Sequence, residues 1–228
     1  MRIIKIQEIS TGLASTMRNA VIDFSKMTIS VVAVVTDAKR DGHPVVGFGF
    51  NSNGRYSQGG VLRERLIPRL LEAEADSLLD DVGALDPFRV QACMMQNEKP
   101  GGHGERAFAV GALDAAIWDV VGKWEEKPLY KVFAERFNDG AFDTCVPVYP
   151  GGGYYDQEKG IEGLKSEMQG YLDAGYTLMK MKVGGATLEE DINRIEAALS
   201  VIGTSENLAV DANAALDIEQ ALKYAAAM

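Results

Sequence analysis

The chain has 228 residues, 46% hydrophobic and 25% charged, with 33 acidic against 23 basic side chains and a formal net charge of −10. This is the make-up of a soluble globular protein, with room for one large domain or two of the usual size of about 100–200 residues. The acidic balance, without any Lys/Arg cluster, argues against nucleic acid and anionic membranes as partners.

No apolar run nears the roughly 20 residues that span a bilayer, and the N-terminus MRIIKIQEIS is too polar for a signal peptide. With only Cys93 and Cys145, both in apolar surroundings, no disulfide framework is expected and a reducing cytoplasm is the default.

Residues 2–9 alternate, while 28–36 (TISVVAVVT) and 44–50 (PVVGFGF) are apolar runs with turn chemistry at Asp41-Gly42 between them. A short antiparallel sheet is the expectation. From Gln58 the period becomes helical, through Val61, Leu62, Arg65, Leu66, Arg69 and Leu70, with Pro68 placed to kink or split the helix. A glycine-rich break at 99–104 precedes the longest helical pattern, whose stripe of Val110, Leu113, Ile117, Val120, Val121 and Trp124 is wide enough for burial. Pro128 closes it, and a shorter helix runs to about Phe137.

After Asn138-Asp139-Gly140 the rhythm changes. Strands near 145–149, 177–183 and 207–212 alternate with helices near 160–174, 187–202 and 217–228, a βα unit repeated about every 30 residues. The expectation is an α+β domain over 1–138 followed over 139–228 by parallel βα units, which build either an open doubly wound sheet or a (β/α)8 barrel.

The chemistry concentrates at two strand ends. In Leu178–Gly185 (LMKMKVGG), Lys180 and Lys182 share one face while Met179, Met181 and Val183 share the other. The plain alternative is a solvated lysine face on an exposed edge strand. One repeat later an apolar strand ends in Asp211 (LAVDAN, 208–213), which helix capping would also explain. Lysines paired beside a strand-end carboxylate suit metal-assisted proton abstraction from a carbon acid, because like-charge repulsion lowers the lysines toward neutral pH. The same pair also permits Schiff-base chemistry. Glu189-Glu190-Asp191 read as structural charges in a first helical turn, Asp114 and Asp119 as buried acceptors, His43 as a surface turn residue and His103 as a loop residue.

The K-x-K strand end, the V-D-A-N strand end and the helix motif A-x-D-x-A-x-W-D (112–119) resemble the mandelate racemase group of the enolase superfamily, over the whole chain. Four further segments are similar to the D-tartrate dehydratases of that group: RNAVIDF (18–24), GFNSNGR (49–55), NEKPGGHGER (97–106) and GGYY (152–155). The resemblance implies an α+β capping domain and the first part of a (β/α)8 barrel. It implies Lys182 as the base, Lys180 as its tuning partner, and Asp211 as the first of three carboxylate ligands to Mg²⁺. Asn19, Asn53, Lys99 and Tyr154 would hold a dicarboxylic hydroxy acid, and dehydration of D-tartrate would give oxaloacetate.

The resemblance also implies two later carboxylate ligands and a late-strand histidine acid that do not occur before Met228. On that ground the chain is expected to be the N-terminal part of a longer, homo-oligomeric enzyme, or else an inactive remnant. Another acid sugar, or racemisation in place of dehydration, is the alternative within the same chemistry.

Overall fold

The computed structural model describes residues 1–51, 57–101, 104–156 and 158–228. Its contacts divide the chain into two units, Met1–Leu13 with Lys26–Thr144 and Ala14–Ser25 with Cys145–Met228. The boundary therefore differs from the one expected at 138, and for local reasons. Residues 139–144 fold back on the preceding helix, where Phe142 packs edge-on against Tyr130. Segment 14–25 joins the C-terminal unit because Arg18 and Tyr155 exchange backbone hydrogen bonds of 3.3 and 2.9 Å.

In the first unit β1 (Ile3–Gly12), β2 (Thr28–Arg40) and β3 (His43–Phe50) form an antiparallel meander. The β2–β3 turn is Asp41-Gly42, both at positive φ (49° and 81°), which is what a two-residue hairpin turn requires. The helix expected from Gln58 arrives in three pieces: α1 (Gln58–Val61), a π-helical stretch (Leu62–Leu66) and α2 (Ile67–Glu72). Pro68 lacks an N–H and crowds the carbonyl four residues earlier, and the widened turn before it accommodates both effects. Asp86 caps α3 (Pro87–Met94) by accepting from the N–H groups of Phe88 and Arg89.

The long helix α4 (Gly104–Glu125) buries Ala109, Ala112, Leu113, Ala116, Ile117, Val120 and Val121 against the sheet. Trp124 falls outside that stripe and is exposed. Gly47 and Gly49 of β3 face the helix backbone so closely that a Cβ on either would collide with the carbonyls of Ala116 and Ala112. Alanines on one side and glycines on the other let helix and strand touch. α5 (Leu129–Phe137) completes this unit.

In the second unit β4 (Gly151–Gly152), β5 (Met179–Lys182) and β6 (Leu208–Asp211) are parallel and adjacent in that order. Helices α6 (Gly160–Asp173) and α7 (Leu188–Ile202) connect them, and α8 (Ile218–Ala227) follows. Thr187 with Glu190 and Asp217 with Gln220 form capping boxes that start α7 and α8. The strand expected at 145–149 does not form, and pairing begins only at Gly151. Pro147 and Pro150 remove two ladder donors from that stretch, and Val146 and Val148 are exposed. Cys145 is exposed too, contrary to the apolar surroundings expected for it. Met179, Met181 and Val183 of β5 and its continuation are buried with Leu164, Met168, Ile195 and Ile202. Among the described residues no helix is long and apolar enough to cross a membrane.

The helix–strand contact in the first unit gives a direct test. Gly49→Ala should destabilise by roughly 1–3 kcal/mol or more through overpacking against backbone. Gly111→Ala, on the same helix but with open space around it, should stabilise by up to about 1 kcal/mol through helix propensity. Urea unfolding of the two variants measures both signs.

Candidate active site

The parallel register of β5 and β6 sets Lys182 opposite Asp211 and Lys180 opposite Ala209. Because alternate residues of a strand share a face, both lysines reach the same carboxylate. Lys182 Nζ donates to Asp211 Oδ2 at 2.7 Å, and Lys180 Nζ lies 3.1 Å from the same oxygen. Lys182 is only 6% exposed and β5 lies between β4 and β6, so a solvated face on an edge strand does not describe it; Lys180 is partly exposed. Asp211 Oδ1 accepts the Asn213 N–H at 2.9 Å, while α8 is capped by Asp217 instead. Helix capping therefore does not account for Asp211.

The bond from Lys182, then the N–H of Asn213, hold the Asp211 carboxyl well below the usual carboxylate range. Lys180 is held above the ordinary lysine value, since its bond to Asp211 outweighs partial burial. This reverses, for Lys180, the lowering expected from like-charge repulsion, because a carboxylate stands between the two ammonium groups. Tyrosine rings flank the pair: Lys180 Nζ is 5.7 Å from the centre of Tyr149 and Lys182 Nζ 5.5 Å from that of Tyr154. The Tyr154 ring is itself held edge-on by Phe24 at 5.7 Å.

Asn19 belongs to the same unit, one residue beyond Arg18, and is buried. Its Oδ1 accepts from the N–H groups of Val21 and Ile22 at 2.8 and 2.7 Å, which leaves its amide donors as the groups free for recognition chemistry. Lys99 lies in the first unit and is exposed. Its carbonyl accepts from Arg106, whose other contacts are Gly101 O and Glu98. Asn53 and His103 lie outside the described residues.

A second cluster behind the lysines escaped the sequence reading. Asp191 is fully buried. Its Oδ1 accepts from Tyr155 Oη (2.6 Å) and Arg194 Nη1 (3.1 Å), and its Oδ2 from Gly184 N–H (2.7 Å) and Tyr224 Oη (2.9 Å). Glu190 is the cap residue that its place in the first turn suggests, whereas Asp191 is a buried hub. The D-x-x-R spacing of Asp191 and Arg194, one turn apart on a helix, is the signal that could have found it. In the first unit, Asp119 accepts from Phe48 N–H and Lys123, and burial pushes the Asp114 carboxyl up.

Among the described residues no group of three or more His, Cys, Asp or Glu could hold a metal ion. Asp211 offers one hard oxygen ligand, beside two amines capable of proton transfer or of pairing with an anion.

Residues 163–228 match the family described as Enolase C-terminal domain-like. The chain is 37% identical over 123 residues to an arabinonate dehydratase of Saccharolobus solfataricus, covering 53% of this chain and 31% of that protein. It is 29% identical over 219 residues to a 3,6-anhydro-alpha-L-galactonate cycloisomerase of Streptomyces coelicolor, covering 96% and 55%. A racemase of Streptomyces coelicolor solved with bound magnesium superposes with a TM-score of 0.73 at 26% identity, covering 99% and 59%. The chain thus spans about half the length, or less, of the relatives it matches. Fold and site define a protein of parallel βα units whose charged groups gather at adjacent strand ends. Residues 163–228 thus carry the enolase C-terminal-like domain, and the chain as a whole is similar to enzymes of the mandelate racemase/muconate lactonizing enzyme group.

The tyrosines around Asp191 make a pH prediction. Burial, then the bond to Asp191, push the Tyr224 phenol up to about 12 and Tyr155 higher still. An unfolded tyrosine ionises near 10, so above about pH 10 the unfolded chain loses its protons first and stability falls until the folded phenols ionise. Denaturation midpoints measured from about pH 9 to 12 should drop across that window, and Tyr224→Phe should flatten the drop. A midpoint that stays level in the parent protein would contradict this.

Proposed function

We propose that this chain supplies the base and one metal ligand of a Mg²⁺-dependent acid-sugar dehydratase acting on D-tartrate. The observation that carries the proposal is one carboxylate, Asp211, shared by two lysines at 2.7 and 3.1 Å. The first unit would act as capping domain and the second as the start of a barrel.

The donor chemistry fits Mg²⁺: Asp211 offers a hard oxygen that already gathers two cationic groups, and Mg²⁺ is held through one or two carboxylates with water completing its shell. Further oxygen ligands would come from water, substrate or residues beyond these 228. When bound, the metal would stabilise the negative charge that develops on the substrate carboxylate.

Lys182, in its neutral form, takes the proton α to that carboxylate. Lys180 keeps its charge and faces the carboxylate, and Tyr154 shields Lys182 from water on one side. Asn19 offers amide donors to the substrate. Loss of the β-hydroxyl as water leaves an enol that tautomerises to oxaloacetate. A second reading keeps these roles and changes the acid sugar. The match to an arabinonate dehydratase favours it.

Lys182→Ala should lower substrate α-proton exchange with solvent by about 10²–10⁴-fold, the usual contribution of a positioned base. Exchange that survives the substitution sinks the assignment. Turnover of arabinonate but not D-tartrate, with Mg²⁺ present, would select the second reading.

A further inference from the structure

Lysine is a long side chain with four rotatable bonds, so a base of this type has to be aimed by something other than itself. The backbone that carries Lys182 is gripped from behind. Arg194 donates from Nη1 to the carbonyl of Lys182 (2.9 Å) and from Nη2 to the carbonyl of Gly153 (2.6 Å). One planar guanidinium thus bridges the ends of β4 and β5, next to the residues that carry Tyr154 and Lys182.

The guanidinium is immobilised on its other sides. It stacks on the Tyr155 ring at 4.0 Å and pairs with Asp191 Oδ1 at 3.1 Å. Asp191 in turn fixes the loop after β5 through the Gly184 N–H, and the Tyr155 hydroxyl accepts the Gly185 N–H at 2.8 Å. Space is exhausted here: a Cβ on Gly185 would collide with the Tyr155 ring, and one on Gly153 with Met181.

We infer that Arg194, locked by Asp191 and Tyr155, is the positioning residue that aims Lys182, and that a planar two-donor side chain is required because two strand ends must be held in register at once. The inference rests on the reading of Lys182 as the base. A lysine at 194 could reach one carbonyl but could not bridge both with a rigid fork.

The test uses two readouts so that the two ideas can fail separately. The first needs no substrate: acetylation of Lys182, measured by mass spectrometry against the exposed Lys223. Arg194→Ala should raise the Lys182/Lys223 labelling ratio several-fold. The second is turnover: kcat should fall about 10–100-fold with KM within about twofold, as expected when a catalytic group is displaced by about an ångström. Arg194→Lys should recover part of kcat, and Tyr155→Phe, which removes the hydroxyl but retains the ring, should show a smaller fall in the same direction.

Unchanged labelling and unchanged kcat in folded Arg194→Ala overturn the inference, as does a loss of activity wholly accounted for by unfolded protein. If Arg194→Ala does not fold, wild-type values in both Arg194→Lys and Tyr155→Phe overturn it. Altered labelling in a protein that turns over no acid sugar retires the base reading and leaves the positioning of Lys182 standing.

Discussion

The pairing of Lys182 with Asp211 is the constraint on which the C-terminal unit turns. An ammonium group that is 6% exposed is costly unless a carboxylate and hydrogen bonds replace the lost water. Asp211 does so at 2.7 Å only because β5 and β6 pair with Lys182 opposite Asp211. A slip of one residue would turn Met179 and Met181 out of the core and both lysines into it. Charge pairing and hydrophobic burial therefore select the same register, each reinforcing the other.

What the sequence made legible follows from periodicity and local chemistry. Alternation in MKMK announced which face would be charged, and the Asp-Gly turn is a short-range signal that the structure repeats. The failures are long-range or subtractive. The stretch 145–149 looks like a strand by side-chain type, but Pro147 and Pro150 take away two backbone donors from it and its lead-in to β4. Segment 14–25 joins the C-terminal unit through Arg18 and Tyr155, which lie far apart in sequence. Gly47 and Gly49 carry no pattern that distinguishes close helix approach from a weakened strand.

Net charge was no guide to the site. At −10 the chain as a whole repels anions, yet two ammonium groups answered by one carboxylate leave the strand ends locally positive. The field at such a site is set by its nearest groups and screened from the rest within roughly 10 Å at ordinary salt. Glu98 in the first unit shows the same principle with the count exaggerated, since Arg65, Arg69 and Arg106 all reach it. There Arg69 also donates to the carbonyl of Met94 and Arg106 to those of Lys99 and Gly101, so the surplus charge organises a loop.

Asp191 and Asp211 illustrate how environment divides labour between two identical side chains. Asp191 is fully buried and receives four donors: a backbone N–H, two phenols and a guanidinium. With every lone-pair direction engaged it has no capacity left for a metal or a substrate, and its effect is to make its surroundings rigid. Asp211 is partly open, and two of its partners are lysine ammonium groups reaching it from the neighbouring strand. Those contacts can be exchanged for others without dismantling the sheet, because the backbone bonds between β5 and β6 hold the register independently. A saturated carboxylate behind the strands and an exchangeable one at their ends are complementary requirements. The chemistry proposed at Asp211 and Lys182 depends on Asp191 taking no part in it.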